Sequence, residues 1–459
     1  MTLIKSISGI RGTIGGQENQ SLSPLDVVKF CAAFTSVICT EDNKRIVVGR
    51  DARLSGEMIN KLVCGTLLSL GVEIVDLGLS TTPTVEMAVV NEGAAGGIIL
   101  TASHNPKNWN ALKLLNDKGE FISAAQGAEI ISLVDSNEFS FNEVEELGSY
   151  TQSGGYIDWH IDQILALPYV DVEAIRAKQY KIVVDAVNST GGIAVPRLLK
   201  ALGVNQVEKL YCDPTGRFPH NPEPLPEHLV ELSTEVKKTG ADLGIVVDPD
   251  VDRLAFVKDD GEVFGEEYTL VAVADFILSQ KKGNTVSNLS STRALKDITE
   301  KHGGKYYASA VGEVNVVEKM KEVDAVIGGE GNGGVILPDL HYGRDALAGI
   351  ALFLTHLATK NVNISGLRSS YPNYVISKNK IELTDDIDLD GIFESLKKKY
   401  SNQPINTIDG VKIEFDEEWV HLRKSNTEPI IRIYAEGSSA NIADSLANKI
   451  KADIKEIIV

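Results

Sequence analysis

A chain of 459 residues, 43% hydrophobic and 24% charged with a formal charge of −19, has the makeup of an ordinary globular protein. It is longer than one hydrophobic core organises, so several domains are expected. The acidic surplus argues against a nucleic-acid partner, and no apolar run reaches the ~20 residues that span a bilayer.

In chain order, the start (Met1 to Gly16) lacks a signal-peptide core. Cys31, Cys39, Cys64 and Cys212 show no metal-ligand spacing and read as reduced thiols of a cytoplasmic protein. Arg11 in Ser8-Gly9-Ile10-Arg11-Gly12 and Arg50 in Gly49-Arg50-Asp51 are cations in glycine-flanked turns, each as readily a surface ion pair as a ligand group. Strand-like Arg45 to Val48 and Val72 to Leu77 enclose an amphipathic stretch, Ser55 to Leu70. Gly96 to Leu100 then reads as a short interior strand leading into Thr101-Ala102-Ser103-His104-Asn105-Pro106. A serine at a strand exit, among small neighbours and in a proline-closed turn, is placed to act as a nucleophile or phosphate carrier. Taken alone, such a turn is more often a plain loop. Lys113 follows ten residues on.

Further strand and helix patterns come at Ile182 to Asp185, Gly191 to Leu202 and Leu243 to Asp248. Such alternation indicates βαβ units, largely parallel sheets and tandem α/β domains. Gln152 to Ile157 reads as a linker, Lys258 to Glu262 as a closing turn, and Ser365 to Asn373, rich in serine, glycine and proline, as a hinge. These breaks divide the chain into 1–154, 155–259, 260–367 and 368–459. The last part shows strands at Val411 to Phe415, Trp419 to Arg423 and Ile430 to Ala435, then one terminal helix, an α+β pattern.

Three more loops carry chemistry. Asp248-Pro249-Asp250-Val251-Asp252-Arg253 follows an apolar strand and masses three carboxylates at alternate positions, which suits one hard divalent cation. An EF-hand is the nearest alternative, but Arg253 stands where its glycine belongs. Gly328-Gly329-Glu330-Gly331-Asn332-Gly333-Gly334 lets backbone approach a ligand, with Glu330 and Asn332 as groups that read hydroxyls. It is neither a P-loop nor a dinucleotide-binding turn. Arg423-Lys424-Ser425-Asn426-Thr427-Glu428-Pro429, with Arg432 beyond, is a dense set of donors for phosphate oxygens. His104, Lys113, His341 and Arg344 are ambiguous singly.

The four loops, in this order and over the whole chain, resemble the α-D-phosphohexomutase family. That resemblance implies four domains around a central cleft, three sharing a mixed α/β core and the fourth resembling the TATA-binding-protein fold. The domains contribute in turn a phosphoserine, a metal, a sugar and a phosphate loop. It puts Ser103 on the phosphorylated serine, and Ser103 with Asp248, Asp250 and Asp252 on Mg2+. Glu330 and Asn332 fall on the sugar-reading positions, and Arg423, Ser425, Asn426, Thr427 and Arg432 on the grip for the distal phosphate. Arg11, Lys113 and His104 fall beside the transferring phosphoryl group, with Arg253 and Arg50 elsewhere in the cleft. The sequence departs from the family at Pro249 and Val251, where glycine is common, and at Ala111. Asn332 stands where common bacterial forms have serine, and Gly334 where they have histidine.

The implied reaction interconverts hexose 6- and 1-phosphates through phosphoserine and a hexose 1,6-bisphosphate, which also serves as activator. Phosphoglucosamine mutase activity is expected, with phosphomannomutase/phosphoglucomutase as the alternative. Two rivals are a haloacid-dehalogenase-type phosphatase, which shares the strand-then-Asp-x-Asp pattern, and a non-catalytic phosphosugar-binding protein. Expected partners are small-molecule sugar phosphates, with neither nucleic acid nor membrane, and the chain is expected to be a monomer or homodimer. Reorienting the bisphosphate requires the cleft to loosen, which gives the hinge at Ser365 to Asn373 a functional role.

Overall fold

Four β-sheets succeed one another along the chain in the computed structural model, which describes residues 3–6, 9–382, 388–424 and 430–458. The first has seven strands. Its parallel centre, Gly96–Leu100, Arg45–Arg50, Glu73–Leu79 and Ser149–Gln152, continues antiparallel through Trp109–Leu115, Gly9–Thr13 and Leu3–Ser6. All five residues of Gly96–Leu100 are buried, which is why that run shows no polar alternation. Helix Pro24–Ile38 packs on Gly56–Ser69 and starts in a capping box, with Ser23 and Asp26 satisfying each other's backbone N–H groups.

The second sheet runs Leu254–Lys258, Leu243–Val247, Lys181–Asp185, Gln206–Leu210, parallel except for its first strand. The third runs Tyr306–Ser309, Asn284–Asn288, Ala325–Glu330, Gly334–Ile336, parallel except for its last. These two units share one continuous core. Helix Ala346–Lys360 is buried without interruption from Ala346 to Ala358 and packs on Glu266–Gln280, Val172–Lys178, Tyr156–Leu165 and Gly191–Ala201. A helix apolar on every face needs neighbours on every side. Phe353 provides the join, stacked on Phe256 at 3.9 Å and edge-on to Phe264 at 5.2 Å.

The fourth sheet is wholly antiparallel, in the order Val375–Glu382, Ile430–Gly437, Trp419–Lys424, Val411–Glu414, Ile405–Asn406, with Leu389–Lys399 and Ala440–Ile458 as its helices. Three strands and one helix were expected here. The strand Val375–Glu382 escapes notice because it is a half-exposed edge carrying Lys378 and Lys380, and an edge strand shows little apolar run. The hinge is also revised. Ser365 lies in helix Ile364–Ser369, and Asn363 and Ser365 both donate to Asp259. Arg368 lies over the Tyr268 ring at 3.5 Å and donates to the Phe264 carbonyl at 3.0 Å. The first half of that segment is therefore held by Asp259 at the end of the second part and by Phe264 and Tyr268 of the third. Among the described residues no helix is long and apolar enough to cross a membrane.

Candidate active site

Ser103 lies just past the buried strand Gly96–Leu100, with φ +47°, a left-handed backbone that costs a non-glycine residue roughly 1–2 kcal/mol. The turn is held from below. The Ser103 N–H donates to Thr101 Oγ1 at 3.0 Å, and Arg53 Nη2 donates to the Ser103 carbonyl at 2.6 Å. The same guanidinium reaches the carbonyls of Asn105, Pro106 and Trp109 at 2.6, 2.7 and 3.0 Å, and Asp51 Oδ2 at 3.0 Å. Asp51 accepts from the Thr101 hydroxyl at 2.6 Å, closing the frame. Strain in a loop is kept only where its surroundings over-determine it.

The Ser103 hydroxyl donates to Asp248 Oδ2 at 2.6 Å, and His104 Nδ1 lies 3.4 Å from Ser103 Oγ. Asp248 follows the strand Leu243–Val247, and the N–H groups of Asp252 and Arg253 donate to its Oδ1 at 3.2 and 3.1 Å. Val251 sits in this turn at φ +65°, fully buried, a conformation rare for a β-branched residue. The carboxylates of Asp248, Asp250 and Asp252 lie within 4.8 Å of one another. Lys113 Nζ is 2.6 Å from Asp250 Oδ2 and 3.0 Å from Asp252 Oδ2, and the Thr82 hydroxyl donates to Asp250.

Burial, then the charges of Asp252 and Asp250, push the Asp248 carboxyl well above the usual range. Burial would raise Asp252 as well, but Arg344 and Lys113 outweigh it and hold that carboxyl low. Lys113 is kept protonated by Asp250 and Asp252 in spite of its burial. The triad also fits a divalent cation. Among the described residues, the buried Asp250 Oδ1 and Asp252 Oδ1 have no hydrogen-bond partner, and acceptors left so are costly unless something binds them.

The glycine-rich loop joins Ala325–Glu330 to Gly334–Ile336. Glu330 accepts from Asn288 Nδ2 at 2.9 Å, the Gly312 N–H at 3.2 Å and Arg344 Nη1 at 2.9 Å. Asn332 Oδ1 accepts the Gly334 N–H at 3.2 Å. Arg344 also reaches Asp252 at 2.8 Å and Glu313 at 3.0 Å, so one guanidinium ties the acidic triad to this loop. A Cβ on Gly334 would come within 2.3 Å of Arg344 Cδ. The arginine thus fills the space over the position at which the resemblance puts a histidine in common bacterial forms.

Arg423 and Arg432 are register partners on adjacent strands of the fourth sheet. Burial lowers the proton affinity of Arg423, with Asp409 opposing that and Arg432 adding to it.

All four sheets meet at one cavity of about 340 Å³. It is lined by Arg11, Ser103, His104, Lys113, Arg253, Glu330, Asn332, Arg423 and Arg432, among the residues singled out from sequence. The three aspartates are fully buried just beneath it. Arg50 does not line the cavity and donates to the Asp51 carbonyl at 3.3 Å. His341 faces Glu86 and Asp345 instead. Ser425, Asn426 and Thr427 lie outside the described residues.

The cavity also holds Glu223, Glu267 and Lys378, which no local motif marks, and Arg344, ambiguous by itself. Its cations gather against the overall charge of −19, which is how an acidic protein draws in an anion. His104 is enclosed and faces Arg253 and Arg11, so its imidazole is held neutral, well below its ordinary pKa. Burial, then Arg253, lowers the proton affinity of Arg11.

Domains of the phosphoglucomutase/phosphomannomutase family match the chain in order. The α/β/α domains I, II and III match residues 3–141, 158–261 and 265–374, and the C-terminal domain matches 380–452. A phosphoglucomutase/phosphomannomutase of Thermococcus kodakarensis is 36% identical over 93% of this chain and 94% of its own. A phosphoglucosamine/phosphogalactosamine mutase of Sulfurisphaera tokodaii is 34% identical over 96% of this chain and 97% of its own. The crystal structure of a phosphoglucomutase/phosphomannomutase family protein from Burkholderia thailandensis superposes with a TM-score of 0.86, at 28% identity over 98% of this chain and 96% of that one.

Proposed function

From the premise that the chain belongs to the α-D-phosphohexomutase family and is a phosphohexomutase, an isomerase, we propose that it interconverts the 6- and 1-phosphates of a hexosamine, glucosamine first, with Ser103 carrying the phosphoryl group. One observation carries this reading. The Ser103 hydroxyl, 2.6 Å from Asp248, opens on a cavity whose cations come from all four sheets.

In the forward half-reaction the bond from phosphorus to Ser103 Oγ breaks as phosphorus bonds to a free hydroxyl of the sugar monophosphate. The 1,6-bisphosphate then turns in the cavity and returns its other phosphoryl group to Ser103. The step moves one proton in net from the attacking sugar hydroxyl to the departing Ser103 Oγ, and His104, neutral and 3.4 Å from Ser103 Oγ, is suited to relay it. Arg11, Lys113 and Arg253 set positive charge around the transferring group, where charge spread over phosphoryl oxygens needs it. Arg423 and Arg432, with the segment 425–429 between their strands, hold the phosphate at the other end of the sugar. Glu330 and Asn332 read its hydroxyls, and Arg253 holds its place through Glu223 at 3.2 Å.

Asp248, Asp250 and Asp252 would hold Mg2+, together with an oxygen of phosphorylated Ser103. Bound there, the ion supplies divalent charge against the phosphoryl oxygens. The domain roles follow the sheets, with phosphoserine in residues 1–154, metal in 155–259, sugar in 260–367 and phosphate in 368–459. Family membership sets aside a phosphatase that uses Asp248 as its nucleophile.

Phosphorus NMR of the protein with Mg2+ and a trace of hexose 1,6-bisphosphate tests the reading. Glucosamine, glucose and mannose 6-phosphates are offered separately. The expected result is a 1-phosphate signal that grows at least tenfold faster from the amino sugar and vanishes in Ser103→Ala. Equal or faster signals from glucose and mannose would move the chain to phosphomannomutase/phosphoglucomutase activity. Undiminished turnover by Ser103→Ala would remove the phosphoserine.

A further inference from the structure

Four glutamates line the cavity, and three of them are paired. Glu223 meets Arg253 at 3.2 Å, and Glu313 and Glu330 meet Arg344 at 3.0 and 2.9 Å. Glu330 further accepts from Asn288 and Gly312, so the glutamate of the glycine-rich loop is already satisfied on several sides. Glu267 differs. Among the described residues it forms no ion pair, and its one hydrogen bond is from the Thr292 N–H to Oε2 at 2.8 Å. Lys378, the cation whose field reaches it, is held by Glu266 at 2.6 Å.

Its position is as specific as its charge. A Cβ on Gly331 would lie 2.1 Å from Glu267 Oε2, so the carboxylate rests on the backbone between Glu330 and Asn332. It is presented to the cavity at the level of the loop that reads the sugar. We propose that Glu267 recognises the ammonium group of a 2-amino-2-deoxyhexose phosphate and so sets the preference for an amino sugar. This rests on the hexosamine reading above.

Enclosure by protein pushes the Glu267 carboxyl well above its usual range. An uncompensated carboxylate there is unfavourable, and a cation brought against it relieves that cost. A hydroxyl in the same place forms only a neutral–anion bond and leaves the charge uncompensated. The difference amounts to about tenfold to hundredfold in selectivity.

The test compares kcat/KM for glucosamine 6-phosphate and glucose 6-phosphate in the wild type, Glu267→Gln and Glu267→Asp. Taking the ratio of the two sugars divides out any general loss of fold. The ratio is also read from the Kd values of the two 1-phosphates by calorimetry, so a slow variant still answers. The wild-type ratio is expected to fall about tenfold to hundredfold in Glu267→Gln. Glu267→Asp, which keeps the charge, should retain part of it. An unchanged ratio in Glu267→Gln overturns this inference and leaves the hexosamine reading standing. A wild-type ratio near one overturns both.

Discussion

The guanidinium of Arg53 donates to the main-chain carbonyl of Ser103 at 2.6 Å from a site 1% exposed, so the reactive turn hangs on a buried cation. Three further carbonyls of the same turn share that cation, and Asp51 neutralises it at 3.0 Å. A fork of five N–H donors meets this need, and an ammonium does not.

Arg53→Lys should therefore lose catalysis even though the charge survives. We expect kcat to fall on the order of 100-fold, as misplacement of a reacting group commonly does. Stability should drop by about 3 kcal/mol, the scale for depriving buried carbonyls of a charged donor. Urea denaturation and turnover of the same preparation measure both. A variant with wild-type kcat would show that the turn holds its shape without the fork.

Arg344 is the corresponding brace on the far side of the cavity, bonded to Asp252 at 2.8 Å, Glu330 at 2.9 Å and Glu313 at 3.0 Å. Its replacement by glutamine leaves the buried Glu313 and Glu330 without their cation and Asp252 with Lys113 alone. Affinity for Mg2+ should then change together with affinity for sugar phosphate, because one side chain bears on both loops. Mg2+ dependence of activity and the KM for substrate, measured on Arg344→Gln, read the two effects. Movement of one constant without the other would show that the loops are independent.

Much of this site was legible because its chemistry is written in contiguous runs. A serine turn, alternating aspartates and a glycine-rich loop each follow a short apolar strand, and each announces itself within seven residues or fewer. What couples the runs is not local. Arg53 acts on Ser103 across 50 residues and Arg344 on Asp252 across 92, and neither separation leaves a mark in periodicity. Glu267 lies in the first turn of an otherwise ordinary helix and gains meaning only from Gly331 packed beneath it. In the fold, buried parallel strands declare themselves as apolar runs, whereas the edge strand Val375–Glu382 reads as a polar linker. The first half of the expected hinge looks freer in sequence than its contacts make it, for a similar reason. Serine and glycine mark flexibility in isolation, but Asp259, Phe264 and Tyr268 pin this stretch from a distance.

Stability should respond to acid through Asp275, on helix Glu266–Gln280. It accepts from His302 at 2.8 Å, Lys360 at 2.9 Å and Tyr371 at 3.2 Å, with His356 at 3.3 Å. Burial opposes its charge, but these partners outweigh burial and depress its pKa far below the unfolded value. A depressed carboxyl contributes stability that is complete above the unfolded pKa of about 4 and is lost as pH falls below it. His356 acts in the same direction, since burial lowers its pKa and protonation on acidification favours the unfolded chain. The urea midpoint should thus decline first below about pH 6.5, then more steeply below about pH 4. Asp275→Asn should start lower at pH 7 and lose the steeper part. Parallel pH profiles for the two proteins would assign the acid sensitivity elsewhere.

Arg423 and Arg432 stand opposite each other across adjacent antiparallel strands, an arrangement that disfavours the empty fold by about 0.2–1 kcal/mol. Both line the cavity, so the repulsion is released when an anion sits against them. A site of this kind trades stability for affinity, and the two can be separated. Arg423→Gln removes the repulsion from Arg432 and the attraction of Asp409 together, so the stability of the ligand-free protein should change little. Binding of sugar phosphate should weaken by about 1.5–3 kcal/mol, the worth of a hydrogen bond to a charged group. That appears as a roughly tenfold to hundredfold rise in KM. A phosphate ester is gripped alike in ground and transition states, so kcat should change less than KM. Added inorganic phosphate should raise the Tm of the wild type more than that of the variant. If Arg423→Gln destabilised the ligand-free protein and left KM alone, the pair would be a structural element of the fourth sheet and the phosphate grip would lie elsewhere.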